Sequence, residues 1–211
     1  MTTQFEQKSE RKIGAIIAAA GQSRRMGSPK QLLAWGDSTV IATVVQNLST
    51  AGAVPVVCVV GHRQAEMRTA LQMTQAEIVF NPDYATAEML SSYQAGIRQL
   101  AATACAGALI ALGDQPQIPT AIIRQVIEQA QATPDKLVIP SYNMRRGHPF
   151  YVPRLLWPAL LVLGPAETLR SLLMQHNSEI VYVNVADDAI LRDMDTPADY
   201  VNLQPVKNKE S

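Results

Sequence analysis

Three short apolar runs, each halted by a glycine, constrain this chain more than any other feature. Ile13–Ala20 stops at Gly21, Val54–Val60 at Gly61, and Ala108–Leu112 at Gly113. Runs this apolar, with no polar alternation, are what strands buried on both faces look like, and such strands occur in parallel sheets covered by helices. Segments of helical character separate them: Val40–Thr50, ended by Gly52; Gln64–Met73; Leu90–Ala102; and Thr120–Ala132, which puts Ile122, Ile123, Val126, Ile127 and Ala130 on one face. Shorter strands are predicted at Glu77–Phe80, stopped by Asn81-Pro82, and at Leu137–Ile139, cut by Pro140. The resulting order, βαβαβαβαβ, predicts an α/β fold: an open, mostly parallel sheet with helices on both faces. The last third is less regular. A strand is expected at His148–Val152, a helix at Glu167–His176, a strand at Ile180–Val185 and a terminal helix at Thr196–Val201, with Thr196 as cap, Pro197 at the first helical position and Asp199 at the third. The run LLWPALLVL, interrupted by Pro158, reads as core.

In such a sheet, ligands bind outside the carboxyl ends of the strands. The loop after the first strand is therefore the first place to look, and it carries chemistry. Residues 13–30 read IGAIIAAAGQSRRMGSPK, delivering Arg24, Arg25 and Lys30 just past Gly21. Glycine lets backbone N–H groups approach anionic oxygens, and fixed cations neutralise charge that would repel an incoming nucleophile. The loop is neither a Walker A sequence, since Lys30 follows Gly27 by three positions, nor a dinucleotide fingerprint, since Gly21-Gln22-Ser23 lacks the second glycine.

The third run empties into Gly113-Asp114-Gln115-Pro116, on the same sheet edge. A carboxylate there, beside a phosphate loop, is placed to hold Mg²⁺, which takes one or two carboxylates plus phosphate oxygens and waters. Asp195, in DMDTPADY, precedes the cap of the terminal helix and is the candidate second ligand; Asp193 is a weaker one. The alternative for Asp114 is a turn residue, and for the acidic stretch it is helix capping.

The N-terminal stretch resembles the MobA-like nucleotidyltransferase superfamily, whose pattern runs Ala-Ala-Gly-x-Ser-x-Arg-Met-Gly-x-x-Lys. Ala19, Ala20, Gly21, Ser23, Arg25, Met26, Gly27 and Lys30 stand at the matching places. The resemblance spans residues 13 to 201 and implies a Rossmann-like sheet of the nucleotide-diphospho-sugar transferase type. It also implies that Asp114, in the family's Gly-Asp-x-Pro motif, and Asp195 are metal ligands, and that Arg25 and Lys30 act with Asp114 in catalysis. Asn81, Ser91 and Ser92 match the segment that related cytidylyltransferases carry before a helix, and are expected to bind the nucleotide with Ala19–Gly21, Ser23, Arg25, Lys30 and Asp114. Arg145-Arg146-Gly147-His148-Pro149 resembles the Arg-Gly-His-Pro segment of molybdenum cofactor cytidylyltransferases, so Arg146, Gly147 and His148 are expected on the acceptor side. Two segments depart: Ala87-Glu88 stands where the related cytidylyltransferases commonly have a glycine, and where the molybdenum cofactor enzymes commonly show Gly-Asp-x-Gly-Ala-Arg, this chain reads Gly164-Pro165-Ala166-Glu167-Thr168-Leu169-Arg170.

The activity so implied is Mg²⁺-dependent transfer of a nucleoside monophosphate to a phosphorylated acceptor, with pyrophosphate released. CTP is the expected donor, because Ala20 stands where guanylyl relatives more often carry a second glycine, and molybdopterin cofactor the expected acceptor. A molybdenum hydroxylase is a further expected partner. Transferases of sugar phosphates or methylerythritol phosphate are an alternative, although the latter have an extra residue before Pro-Lys. A non-catalytic carrier that inserts molybdenum cofactor is another.

Length and composition agree. At 211 residues, with 47% apolar and 17% charged content, the chain can bury a full core. Zero formal net charge argues against a general nucleic-acid binder, so a phosphate ligand must be met by local cations. No apolar run approaches the ~20 residues needed to span a bilayer. Cys58 and Cys105 are expected to be buried reduced thiols, which fits the cytoplasm. Residues 12–203 are expected to form a single domain, with 1–11 and 204–211 as flexible tails.

Overall fold

The computed structural model describes residues 11–21, 29–85 and 89–205. In chain order the elements are β1 (Ile13–Ala19), a 3₁₀ turn at Lys30–Leu32, the hairpin of β2 (Ala34–Trp35) and β3 (Ser38–Thr39), α1 (Val40–Ala51), β4 (Val56–Val60) and α2 (Gln64–Leu71). Then come β5 (Glu77–Phe80), α3 (Met89–Ala101), β6 (Gly107–Leu112), α4 (Thr120–Ala132), β7 (Leu137–Tyr142), β8 (Arg145–Arg146) and β9 (Phe150–Pro153). The chain continues through α5 (Trp157–Val162), α6 (Leu169–Gln175), β10 (Ile180–Asn184) and α7 (Pro197–Leu203).

The main sheet runs β10-β7-β9-β6-β1-β4-β5, with β8 hydrogen-bonded to β7 outside that path. β1 lies between β4 and β6, parallel to both, with Ala15 opposite Val56 and Leu109. Because side chains alternate across a strand, β1 feeds two cores. Ile13, Ala15, Ile17 and Ala19 pack with α1, α2 and α4, whereas Ile16 packs with α3, α5 and α6. Gly96 brings α3 down onto Ile16: a Cβ there would lie 2.4 Å from Ile16 Cγ2. α1 starts on its Thr39 cap, which accepts from the Ala42 N–H at 3.3 Å, and ends on Gly52 at φ +107°, a left-handed geometry natural to glycine.

Three details depart from the sequence reading. β7 runs through Pro140 to Tyr142 instead of stopping there. Pro140 sits opposite the stretch where the neighbouring chain leaves the ladder between β8 and β9, and its carbonyl still accepts from the Gly147 N–H at 3.0 Å. β9 is antiparallel and inserts between β6 and β7, with Phe150 opposite Ile110 and Pro153 opposite Gly107. The LLWPALLVL run forms α5, with Pro158 in the first turn where its missing N–H costs nothing; Trp157 and Leu160 are buried, but Leu155 and Val162 are exposed.

The orientation of β9 matters for the site. Its start lies beside the carboxyl end of β6, so Gly147-His148-Pro149 joins the edge that already carries Gly21, Gly61, Asn81 and Asp114. Among the described residues no helix is long and apolar enough to cross a membrane.

Candidate active site

Lys30 opens its 3₁₀ turn just after Pro29, at the mouth of the edge. Its ammonium is held between two carboxylates far apart in sequence, one from the middle of the chain and one near its end: it contacts Asp114 Oδ2 closely and donates to Asp195 Oδ1 at 3.0 Å. Lys30 and Asp114 are largely buried and Asp195 is half exposed. Burial opposes the charge on Lys30, but the two carboxylates together outweigh it and hold the pKa above its ordinary value.

Each acid is positioned by its own element. Asp114 follows β6 directly. Asp195 stands at the entrance of α7, where Thr196 caps the helix and accepts from the Asp199 N–H at 3.2 Å, while Asp199 Oδ2 accepts from Thr196 N at 2.8 Å and Asp195 N at 3.2 Å. This reciprocal cap fixes the backbone of Asp195 itself. Asp193 belongs to the same neighbourhood. Burial, with Asp114 nearby, pushes its carboxyl above the usual range, against a hydrogen bond of 3.1 Å from Gln115 Nε2.

The cluster borders a cleft of about 310 Å³, lined by Ala20, Gly21, Lys30, Tyr84, Ser92 and Asp114 among others. Gly61 lets Tyr84 lie over the strand ends, since a Cβ there would meet Tyr84 Cβ at 2.4 Å and the Ala20 carbonyl at 2.9 Å. Ala19 and Ala20 are buried at the end of β1, and Gly21 is exposed beyond them. Asn81 is 2% exposed, and its amide is committed to the scaffold. Nδ2 donates to Ser91 Oγ at 2.8 Å and Ser92 Oγ at 3.1 Å, and Oδ1 accepts from the Asp83 N–H at 3.0 Å. The two serines thus face Asn81 from within α3. Ser23 and Arg25, expected at this site, lie outside the described residues.

A second groove of about 950 Å³ adjoins the first; Met89 lines both. Met144, Arg145, Arg146, Gly147 and His148 line one side of it, and Thr168 and Arg170, from the segment that departs from the family pattern, line another. Arg146 is already engaged: its guanidinium donates to the Tyr182 hydroxyl at 3.0 Å and to Asn177 Oδ1, and lies 5.5 Å from the Tyr182 ring centre. Burial lowers the His148 imidazole to about 4, despite the pull of Asp114, so the ring is neutral at pH 7. Gly147 is required where it stands: a Cβ would lie 2.5 Å from the Ile190 carbonyl.

The donor set suits a hard divalent cation. Two carboxylates converge on one point with a third nearby, and no histidine or cysteine is among them. Among the described residues no group of three or more such side chains could hold a metal ion, so substrate phosphates and water would have to complete a shell, which is how Mg²⁺ is ordinarily held. Sequence reasoning missed Gln31, which is 5% exposed and lines the cleft directly after Lys30; its position next to the lysine was the available signal.

Comparison with known proteins bears on the family and the fold. The MobA-like NTP transferase domain matches residues 15–180. The molybdenum cofactor cytidylyltransferase of Escherichia coli K12 is 29% identical over 196 residues, covering 91% of this chain and 95% of that enzyme. Among solved structures, Rv0371c of Mycobacterium tuberculosis H37Rv superposes with a TM-score of 0.77 at 27% identity, covering 92% of this chain and 98% of that one. The same protein in complex with manganese superposes with a TM-score of 0.71 at 26% identity, covering 92% and 98%.

Proposed function

The chain belongs to the MobA-like NTP transferase family, and from that membership we propose that it is a Mg²⁺-dependent cytidylyltransferase that moves CMP from CTP to molybdopterin cofactor and releases pyrophosphate. The observation that carries this reading is the Lys30 ammonium between Asp114 and Asp195, on the edge of a cleft open to the strand ends. CTP is preferred because Ala20 stands at the position where guanylyl relatives more often carry glycine, and because the relative from Escherichia coli is a cytidylyltransferase. The larger groove beside Arg146, Gly147 and His148 would receive the acceptor. The buried free thiols Cys58 and Cys105 support a reducing compartment such as the cytoplasm.

In this reading an oxygen of the acceptor's phosphate attacks the α-phosphorus of CTP in line. The bond from that phosphorus to the bridging oxygen breaks, and pyrophosphate leaves with the electron pair. The nucleophile is already an anion at neutral pH, so no strong general base is required, consistent with a His148 that stays neutral. Asp114 and Asp195 would hold the divalent cation, which would supply positive charge to neutralise the reacting phosphates. Lys30, with Arg25, would meet the negative charge that grows on the transferred and departing phosphates. Ala20–Ser23 and Ser92 would face the nucleotide. Rate then comes from positioning and electrostatics.

A second reading keeps the chemistry and changes the acceptor. It is favoured by Thr168 and Arg170, which bring the departing segment into the wall of the acceptor groove. Pyrophosphate release from each of the four NTPs, with Mg²⁺ and with or without molybdopterin cofactor, tests both. Release with CTP alone, dependent on the cofactor, is expected. Cofactor-independent silence that another phosphorylated acceptor relieves would select the second reading. Silence under all conditions would favour a non-catalytic carrier.

A further inference from the structure

The α7 cap fixes the backbone of Asp195 locally, but Asp195 lies 81 positions beyond Asp114 and must also be carried to the same ammonium. The link is a strap from Asp188 to Asp195, and two side chains next to Asp114 hold it. Gln115 Nε2 donates to the Arg192 carbonyl at 3.3 Å and to Asp193 Oδ1 at 3.1 Å. Gln117 Nε2 donates to the same Arg192 carbonyl at 2.8 Å and to the Ala189 carbonyl at 3.2 Å. On the far side the strap is seated on the acceptor segment, with His148 N–H donating to the Ile190 carbonyl at 3.3 Å and Gly147 packed against Ile190. Ile190 and Met194 are buried at 1% and 0% exposure, which fixes the strap at either end of the doubly bonded Arg192 carbonyl.

The glutamines are not polar filler. The carbonyl oxygens Gln115 Oε1 and Gln117 Oε1 are both buried and have no hydrogen-bond partner among the described residues. An unpaired buried acceptor is unfavourable, and an apolar side chain of similar shape would avoid the cost. What an apolar side chain cannot do is donate twice to the strap. The loop that bears them is itself pinned, because Asn47 Nδ2 of α1 donates to the Pro116 carbonyl at 3.0 Å and the Ile118 carbonyl at 3.3 Å. The tether therefore runs from a helix in the core, through the Asp114 loop, to the Asp195 strap.

We propose that Gln115 and Gln117 are positioning residues that set Asp195 in register with Asp114, so that the two carboxylates act as one cation-binding pair. This rests on the assignment of Asp114 and Asp195 as the metal-binding carboxylates. Neither glutamine lines the cleft; each acts through the Arg192 carbonyl.

The test is Mn²⁺ binding in the presence of CTP, followed by electron paramagnetic resonance, which needs no turnover. Gln115→Met and Gln117→Met keep the bulk of the side chain and remove the donors; Gln117→Glu is the second variant should a methionine variant fail to fold, as judged by circular dichroism. The double methionine variant is expected to bind Mn²⁺ roughly 10-fold or more weakly, the scale on which residues behind metal ligands act. The decisive comparison is made in an Asp195→Asn background, where the glutamine substitutions should have no further effect, because the carboxylate they position is gone. A general loss of structure would weaken binding equally in both backgrounds. Equal losses in both, or no loss in either, would overturn the positioning role while leaving the metal assignment intact. Unchanged binding in Asp195→Asn alone would overturn the metal assignment and the positioning role together.

Discussion

His148 makes the acid stability of this fold a quantitative test of the site's environment. Burial lowers the imidazole to about 4 from an ordinary value of 6.5, against the attraction of Asp114. The gap corresponds to about 3 kcal/mol between the two protonation states. Above pH 6.5 the ring is neutral in folded and unfolded chains and contributes no pH dependence. Between 6.5 and 4 the unfolded chain binds a proton that the native one refuses, so stability falls as pH falls, and the loss is complete below 4. About 2 kcal/mol should be gone by pH 4.5. Other groups titrate over this range, so the assay is a comparison: urea unfolding by circular dichroism from pH 7 to 4.5 for the wild type and for His148→Gln. The wild type should lose about 2 kcal/mol more than the variant. Parallel curves would refute the reasoning, as would an imidazole that titrates near 6.5 by NMR in the folded protein.

Further consequences follow from packing, capping and charge. Gly96→Ala places a methyl 2.4 Å from Ile16 Cγ2 at the contact of α3 with the central strand, and should destabilise the fold by about 1–3 kcal/mol in thermal or urea unfolding. Thr196→Ala removes the cap that accepts from Asp199 N–H; it should cost about 1 kcal/mol and weaken Mn²⁺ binding, measured by paramagnetic resonance, because the same cap holds Asp195. Lys30 is raised above 10.5 by its carboxylates, so its pairing stabilises the fold fully below pH 10.5 and loses that effect as pH rises through the folded value. The stability gap between the wild type and Lys30→Ala should therefore be constant near neutral pH and narrow in alkaline urea titrations.

The framework was legible because each strand announces its own end. Gly21, Gly61, Gly113 and Asn81 follow β1, β4, β6 and β5, and they mark the sheet edge on which the cleft lies. Thr196, Pro197 and Asp199 foretold a capped helix, and the cap forms with its reciprocal hydrogen bonds. These are local signals, read within a few residues. β9 was harder, since nothing within Phe150–Pro153 reveals that it runs antiparallel between β6 and β7. Pro140 suggested a break that the sheet tolerates because the adjoining chain bends away there. The turn before β8 gives no help either: Asn143 and Met144 both adopt positive φ, at 47° and 64°, without the glycine that usually marks such a turn. The scaffold contacts of Asn81, whose amide meets Ser91, Ser92 and the Asp83 N–H, are likewise invisible in the sequence. The reach of Gln115 and Gln117 across more than seventy positions to Arg192 depends wholly on tertiary structure, and no spacing rule could disclose it.

The most direct test of the central claim is single-turnover transfer of labelled CMP from α-labelled CTP to molybdopterin cofactor, comparing the wild type with Asp114→Ala. Label should pass to the cofactor in the wild type, and the variant, folded by circular dichroism, should transfer it about 100-fold more slowly or worse, the scale of losing one stabilising group for transition-state charge. Transfer at the wild-type rate by Asp114→Ala would contradict the account, because the carboxylate that meets Lys30 at the end of β6 would then have no part in the reaction.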